Sequence, residues 1–155
     1  MNPKEEFIEL ISANMRTNGF DEITSKVTGV LFIETKEISL EELAKKTGYS
    51  LSGVCNSLKF LSGSGLVKKS RKPGSRKVYL YMEKDLMAFS IRIMKKKYEE
   101  VILPSKQRLP EIIKKYKGSK EELKIIKKYY GQVDKFEIIV KKMMEFLEIK
   151  KKVGL

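Results

Sequence analysis

The chain has 155 residues, 41% of them apolar, and carries a net charge of +13. That length suits one compact module with helical extensions, and no apolar run approaches the ~18 residues a membrane-spanning helix requires. A lone Cys55 and the complete absence of histidine exclude an internal disulfide and the usual cysteine or histidine metal sites, so neither metal nor cofactor is expected.

Residues 4–16 place Phe7, Ile8, Ile11 and Met15 on one helical face, and Asn18-Gly19 ends that first helix. A second helix is predicted from Asp21, its N-cap, to Ile33, with Ile23, Val27, Val30 and Leu31 as its apolar stripe. Thr35-Lys36-Glu37 breaks it. Ser39-Leu40-Glu41-Glu42 then reads as a capping box that opens a short helix to Thr47. Gly48 follows, and Ser50 caps another helix running to about Ser62. Two helices separated by a three- or four-residue turn containing glycine are the signature of a helix-turn-helix. Val54, Leu58 and Leu61 give the second of the two a buried face. Ser52, Asn56, Ser57 and Lys59 are left as small or polar groups able to meet base edges and phosphates.

Gly63-Ser64-Gly65 stops that helix. Val67 to Arg71 and Arg76 to Met82 flank Lys72-Pro73-Gly74-Ser75 as a β-hairpin, with Val78, Leu80 and Met82 alternating against Lys77, Tyr79 and Tyr81. Its tip collects Arg71, Lys72, Arg76 and Lys77.

Beyond residue 84 the pattern is helical. Met87, Ile91, Met94, Tyr98 and Val101 form a heptad seam that Pro104 is expected to interrupt, and Pro110 is expected at the first turn of the next helix. The seam suits a dimer interface, an intramolecular core contact or a partner-protein site. Ser119-Lys120-Glu121-Glu122 repeats the capping box. It opens a last helix with Leu123, Ile126, Tyr130, Val133, Val140, Met143 and Leu147 along one side and a possible bend at Gly131.

The charge is unevenly spread. Residues 1–35 hold three basic and six acidic groups, residues 36–83 ten and four, and residues 84–155 twenty and ten. Between Lys45 and Tyr81 stand nine lysines and arginines and no acid, whereas the later lysines are interleaved with acids. An unbroken basic run of this kind points to a polyanion, because phosphate neutralisation with counterion release dominates nucleic-acid affinity. Double-stranded DNA is the expected partner. No enzyme is expected, since the acids lie at caps or on amphipathic faces, with no glycine-rich phosphate loop or nucleophile motif nearby. The N-terminal Met1-Asn2-Pro3-Lys4-Glu5-Glu6 lacks the pattern of a secretory signal, so a cytoplasmic location is expected.

The run from Leu31 to Met82 resembles the winged-helix transcription regulators of the MarR type. It is similar in particular to the subgroup of the bacterial glycine-betaine-synthesis repressor and its archaeal relatives. The resemblance is carried by Ser39-Leu40-Glu41-Glu42-Leu43-Ala44-Lys45-Lys46-Thr47-Gly48, by Leu58-Lys59-Phe60-Leu61 with Gly65-Leu66-Val67, and by Pro73-Gly74-Ser75-Arg76-Lys77. It implies a mainly α fold: a winged helix-turn-helix with a small β-wing, flanked by long dimerisation helices. It also implies a homodimer that sets one recognition helix per subunit in the major groove and the wings on flanking DNA. On that basis Ser50, Ser52, Asn56, Ser57 and Lys59 meet the groove, and Arg71, Lys72, Ser75, Arg76 and Lys77 lie on the wing. Residues 1–20 and 84–155 then serve assembly, with Phe7, Ile11, Met87, Ile91, Met94, Tyr98 and Val101 between subunits, and residues 21–83 bind DNA. Relatives that sense choline-like ligands need an aromatic cage; the spacing of Tyr98, Tyr116, Tyr129 and Phe136 identifies none, so the effector stays open. The competing expectation is an architectural or general-transcription winged helix that binds without an operator. Cys55 reads as a small apolar filler or as a redox sensor, the latter without a resolving cysteine.

Overall fold

The structure, a computed structural model, describes residues 2–154, and every side chain among them but that of Leu86. It divides into two compact units, Met1–Asp85 and Leu86–Leu155.

In the first unit, α1 (Pro3–Thr17) is opened by a capping box between Asn2 and Glu5. It packs on α2 (Glu22–Ile33), whose N-cap is Asp21; the Asp21 carboxylate accepts from the Thr24 N–H and hydroxyl, which holds its pKa below the usual carboxylate value. The predicted single stripe on α2 understates its burial. Thr24, Ser25, Val27, Thr28, Gly29, Val30 and Leu31 are all buried, so α2 is the central helix of the unit. Its hydroxyls are satisfied locally, with Thr28 donating to the Thr24 carbonyl at 2.8 Å. No basic residue stands in its last turn. Lys84 supplies one from far along the chain, donating to the Leu31 carbonyl at 2.5 Å, while burial pushes its ammonium pKa down.

A two-residue strand β1 (Ile38–Ser39) leads into α3 (Leu40–Thr47), then α4 (Leu51–Gly63), β2 (Val67–Arg71) and β3 (Val78–Met82). The sheet is antiparallel in the order β1-β3-β2, with Ile38 opposite Leu80, Val67 opposite Met82 and Arg71 opposite Val78. The hairpin matches the expectation, but β1 as its third strand does not come from local pattern. Met15, Val27, Leu31, Leu43, Val54, Leu58, Leu61, Leu66, Leu80 and Met82 form the buried interior, which α1, α2, α3, α4 and the sheet all share. The fold is a winged helix.

The second unit holds α5 (Leu86–Lys97), α6 (Leu103–Lys115) and α7 (Lys120–Val153), the last opened by the predicted Ser119–Glu122 capping box. Pro104 does not interrupt the helical run. A π-helical turn at Tyr98–Ile102 joins α5 to α6, and Pro104 falls in the first turn of α6, where no N–H is needed. Pro110 is inside α6 and not at its start. Ile102, Leu109, Val133 and Val140 form the core here, with Met94, Tyr98, Ile126, Tyr130 and Met144 packed against it. Met144 thus takes the place expected for Met143, which is exposed. Among the described residues, no helix is long and apolar enough to cross a membrane.

Candidate nucleic-acid interface

The helix-turn-helix is built by its caps. The Ser39 hydroxyl accepts from the Glu42 N–H at 3.2 Å and starts α3. Glu42 does not reach back as a capping box would; its carboxylate pairs with Lys46 one turn on, at 3.2 Å. Gly48 then adopts φ +76°, the left-handed conformation that ends a helix at little cost only for glycine, and its N–H returns to the Ala44 carbonyl. Ser50 restarts the chain as N-cap of α4, accepting from the Gly53 N–H at 3.2 Å. Leu43, Val54, Leu58 and Leu61 clamp the two helices to the interior.

What α4 leaves outside is a short polar face. Ser52, Asn56 and Lys59 are exposed and spaced by four and three residues, one side of the helix, with the Ser50 hydroxyl 3.2 Å from that of Ser52 at its start. Ser57 does not belong to this face. It is buried, and its hydroxyl donates to the Val54 carbonyl at 2.8 Å. The reason is positional: it lies three residues after buried Val54 and beside buried Leu58. Cys55 is half-buried on the same helix.

In the wing, the Ser75 N–H donates to the Lys72 carbonyl at 3.1 Å, and the Ser75 hydroxyl accepts from the Lys77 N–H at 3.1 Å. Ser75 therefore shapes the tip. Arg71, Lys72, Arg76 and Lys77 are exposed around it, and the Lys72 ammonium lies 4.0 Å from the centre of the Tyr79 ring. Lys68 and Lys69 on β2 are also exposed. They add to the predicted wing-tip residues, and their place in the same acid-free run is the sequence signal for them.

That run is less uniform in space than in sequence. Lys46 is taken up by Glu34 at 2.8 Å and by Glu42, which raise its pKa, and the Glu37 carboxylate reaches the hydroxyl of Ser70 at 2.9 Å. Lys45, Lys59, Lys68, Lys69, Arg71, Lys72, Arg76 and Lys77 remain; among the described residues none of these eight has a carboxylate partner. An arrangement of this kind can neutralise phosphates, with Asn56 able to offer both donor and acceptor to a base edge. Among the described residues, no three His, Cys, Asp or Glu side chains come together as metal ligands.

The residues expected between subunits divide. Met94 and Tyr98 pack into the core of their own unit, and the Tyr98 hydroxyl donates to Glu137 at 3.3 Å. Ile91 is buried, while Ile11 and Met87 are half-buried. Phe7 and Val101 are exposed, the Phe7 ring lying 6.3 Å from that of Phe32. The widened π turn explains Val101: one extra residue in that turn brings Ile102 inward in its place. Of the aromatic residues that an effector cage would draw on, Tyr116 hydrogen-bonds Glu122 at 2.5 Å, and Tyr129 and Phe136 are exposed on α7.

No protein-family model matches the chain. It is similar to the HTH-type transcriptional repressor OpcR of Bacillus subtilis, 25% identical over 103 residues, which cover 66% of this chain and 56% of OpcR. YvaV of the same bacterium is 24% identical over 103 residues, covering 66% of this chain and 58% of YvaV. The chain thus spans little more than half the length of the curated relatives it matches. A solved structure described as a transcriptional regulator superposes with a TM-score of 0.68 at 15% identity, over 95% of this chain and 99% of that one, and shares its fold.

Proposed function

We propose that this chain is a homodimeric, sequence-specific DNA-binding transcription regulator of the MarR type, acting as a repressor by occluding a promoter. The observation that carries the reading is the outer face of α4, where Ser52, Asn56 and Lys59 stand exposed on the second helix of a helix-turn-helix. In this reading Asn56 contacts a base edge, Lys59 and the Ser50 and Ser52 hydroxyls contact the groove and its phosphates, and Arg71, Lys72, Arg76 and Lys77 hold flanking backbone. Ser75 acts through the shape of the wing tip. Residues 21–83 bind DNA, and residues 1–20 and 84–155 serve assembly. The similarity to a repressor supports the sign of regulation. The similarity to the glycine-betaine-synthesis repressor rests on the wing tip Pro73-Gly74-Ser75-Arg76-Lys77.

Selection of bound duplexes from a random pool at near-physiological salt tests this. A palindromic consensus with half-sites about one helical turn apart is expected. A second reading, a winged helix that coats DNA without an operator, draws on Lys68 and Lys69, which add backbone contacts and no base readout. Failure to enrich any sequence would overturn the first reading, and, with duplexes still bound irrespective of sequence, would favour the second.

A further inference from the structure

Helices α1, α2, α3 and α7 are opened, like α4, by a side-chain cap, and each carries an acid in its first turn, where the positive end of the helix dipole favours one. The first turn of α4 has none. After the Ser50 cap it places Leu51 and Ser52 there, both exposed. Leu51 is 47% exposed, and within residues 21–83 it is the one large apolar side chain left on the surface. The helix itself does not call for leucine at this position. The Ser50 hydroxyl makes the cap, and Val54, Leu58 and Leu61 make the buried face. Leu51 therefore neither fills the interior nor favours the dipole, and it stands beside Ser52 on the face that ends in Asn56 and Lys59.

We propose that Leu51 is a specificity-determining residue that packs on the C5 methyl group of a thymine in each half-site, which rests on the reading of α4 as the recognition helix. The first residues of such a helix are the ones that meet base edges. The Ser50 and Ser52 hydroxyls, 3.2 Å apart, can each donate or accept, so they match most base edges and discriminate little. An aliphatic side chain is more selective. Among the groups that the four bases show in the major groove, the thymine methyl is the apolar one. The missing acid fits the same surroundings, because a carboxylate in this turn would face the DNA phosphates. Asn56 and Leu51 then divide the readout, one through hydrogen bonds and the other through apolar contact.

Deoxyuridine keeps every hydrogen-bonding group of thymine and lacks only the methyl, so it separates this contact from the rest of the interface. In the duplex enriched from the random pool, each thymine is replaced in turn by deoxyuridine, and the affinities of the full-length wild type and of Leu51→Ala are measured at one salt concentration. At one thymine per half-site the replacement is expected to weaken wild type by about 3- to 10-fold, the worth of one buried methyl or somewhat more. The same replacement is expected to change Leu51→Ala by less than about 1.5-fold, since the two losses are one contact removed from either side. A wild type indifferent to every replacement, or an enriched duplex without thymine in its half-sites, would overturn the role of Leu51 and leave the sequence-specific regulator standing. Equal losses in wild type and Leu51→Ala would assign the methyl to another side chain and overturn it too. So would a loss of helicity in Leu51→Ala by circular dichroism, which would make the side chain structural. A pool from which no sequence is enriched would overturn this contact and the sequence-specific reading together.

Discussion

Gly29 lies so close to Ser12 that a Cβ on the glycine would stand 2.5 Å from the serine hydroxyl oxygen, and 2.6 Å from the carbonyl oxygen of Ile8. This close approach lets α1 lie flat on α2. Gly29→Ala gains about 1 kcal/mol of helix propensity but forces apart two helices at a backbone atom that cannot swing away, and overpacking of this kind costs about 1–3 kcal/mol. The expected outcome is a net loss of stability in urea unfolding. A variant as stable as wild type would show that the two helices separate freely.

On α4, Asn56 and Ser57 are neighbours in sequence with opposite surroundings. Asn56→Ala is expected to cost about 1–3 kcal/mol in operator affinity and to relax preference at one base pair. Ser57→Ala removes only a hydroxyl satisfied within the helix, and operator affinity measured at equal folded concentration is expected to stay within twofold. Equal losses in the two variants would contradict the placement of Ser57.

At the wing, Arg76→Ala is expected to weaken binding to all sequences alike and to lower the slope of log K against log salt by about one, the signature of a lost phosphate contact. A titration from low to physiological salt measures it. An unchanged slope would remove Arg76 from the interface.

Glu137 stands buried on α7, and the Lys106 and Lys141 ammonium groups hold its carboxyl down to about 2, from an ordinary 4.5. A carboxylate whose pKa is lower folded than unfolded gives stability that is fully present above about 4.5 and is lost as pH falls through that value toward 2. The melting temperature is therefore expected to drop between pH 5 and pH 2. Glu137→Gln is expected to be less stable than wild type at pH 7 and to show a shallower drop. A variant with the wild-type pH profile would mean that other carboxylates carry the acid response.

The parts of the fold that were legible in the sequence are those determined by near neighbours. Ser39, Ser50 and Ser119 each cap the helix that follows by accepting from the N–H three residues ahead, and Pro73-Gly74 turns the hairpin, so the helix-turn-helix and the wing follow from local chemistry. What was missed depends on distant partners or on buried polar groups. β1 is two residues long and exists because Ile38 pairs with Leu80, more than forty positions away. The inner seam of α7 contains Glu137, whose charge hides the repeat from an apolar count and displaced the expected contact from Met144 to Met143. Pro104 reads as a break in sequence because an uninterrupted α-helical ladder would need its missing N–H. The preceding turn instead sends the Leu103 N–H to Tyr98, five residues back.

That π turn has a further consequence for how the second unit can change over time. One added residue in a helix rotates everything downstream by about 100° without breaking the rod. The side chains of α5 and those of α6 are thus indexed separately against α7, and substitutions in one leave the phase of the other untouched. Removing a single residue between Tyr98 and Ile102 would restore a common phase and turn Ile102 and Leu109 out of the core together, so the length of this five-residue segment matters more to the unit than its composition.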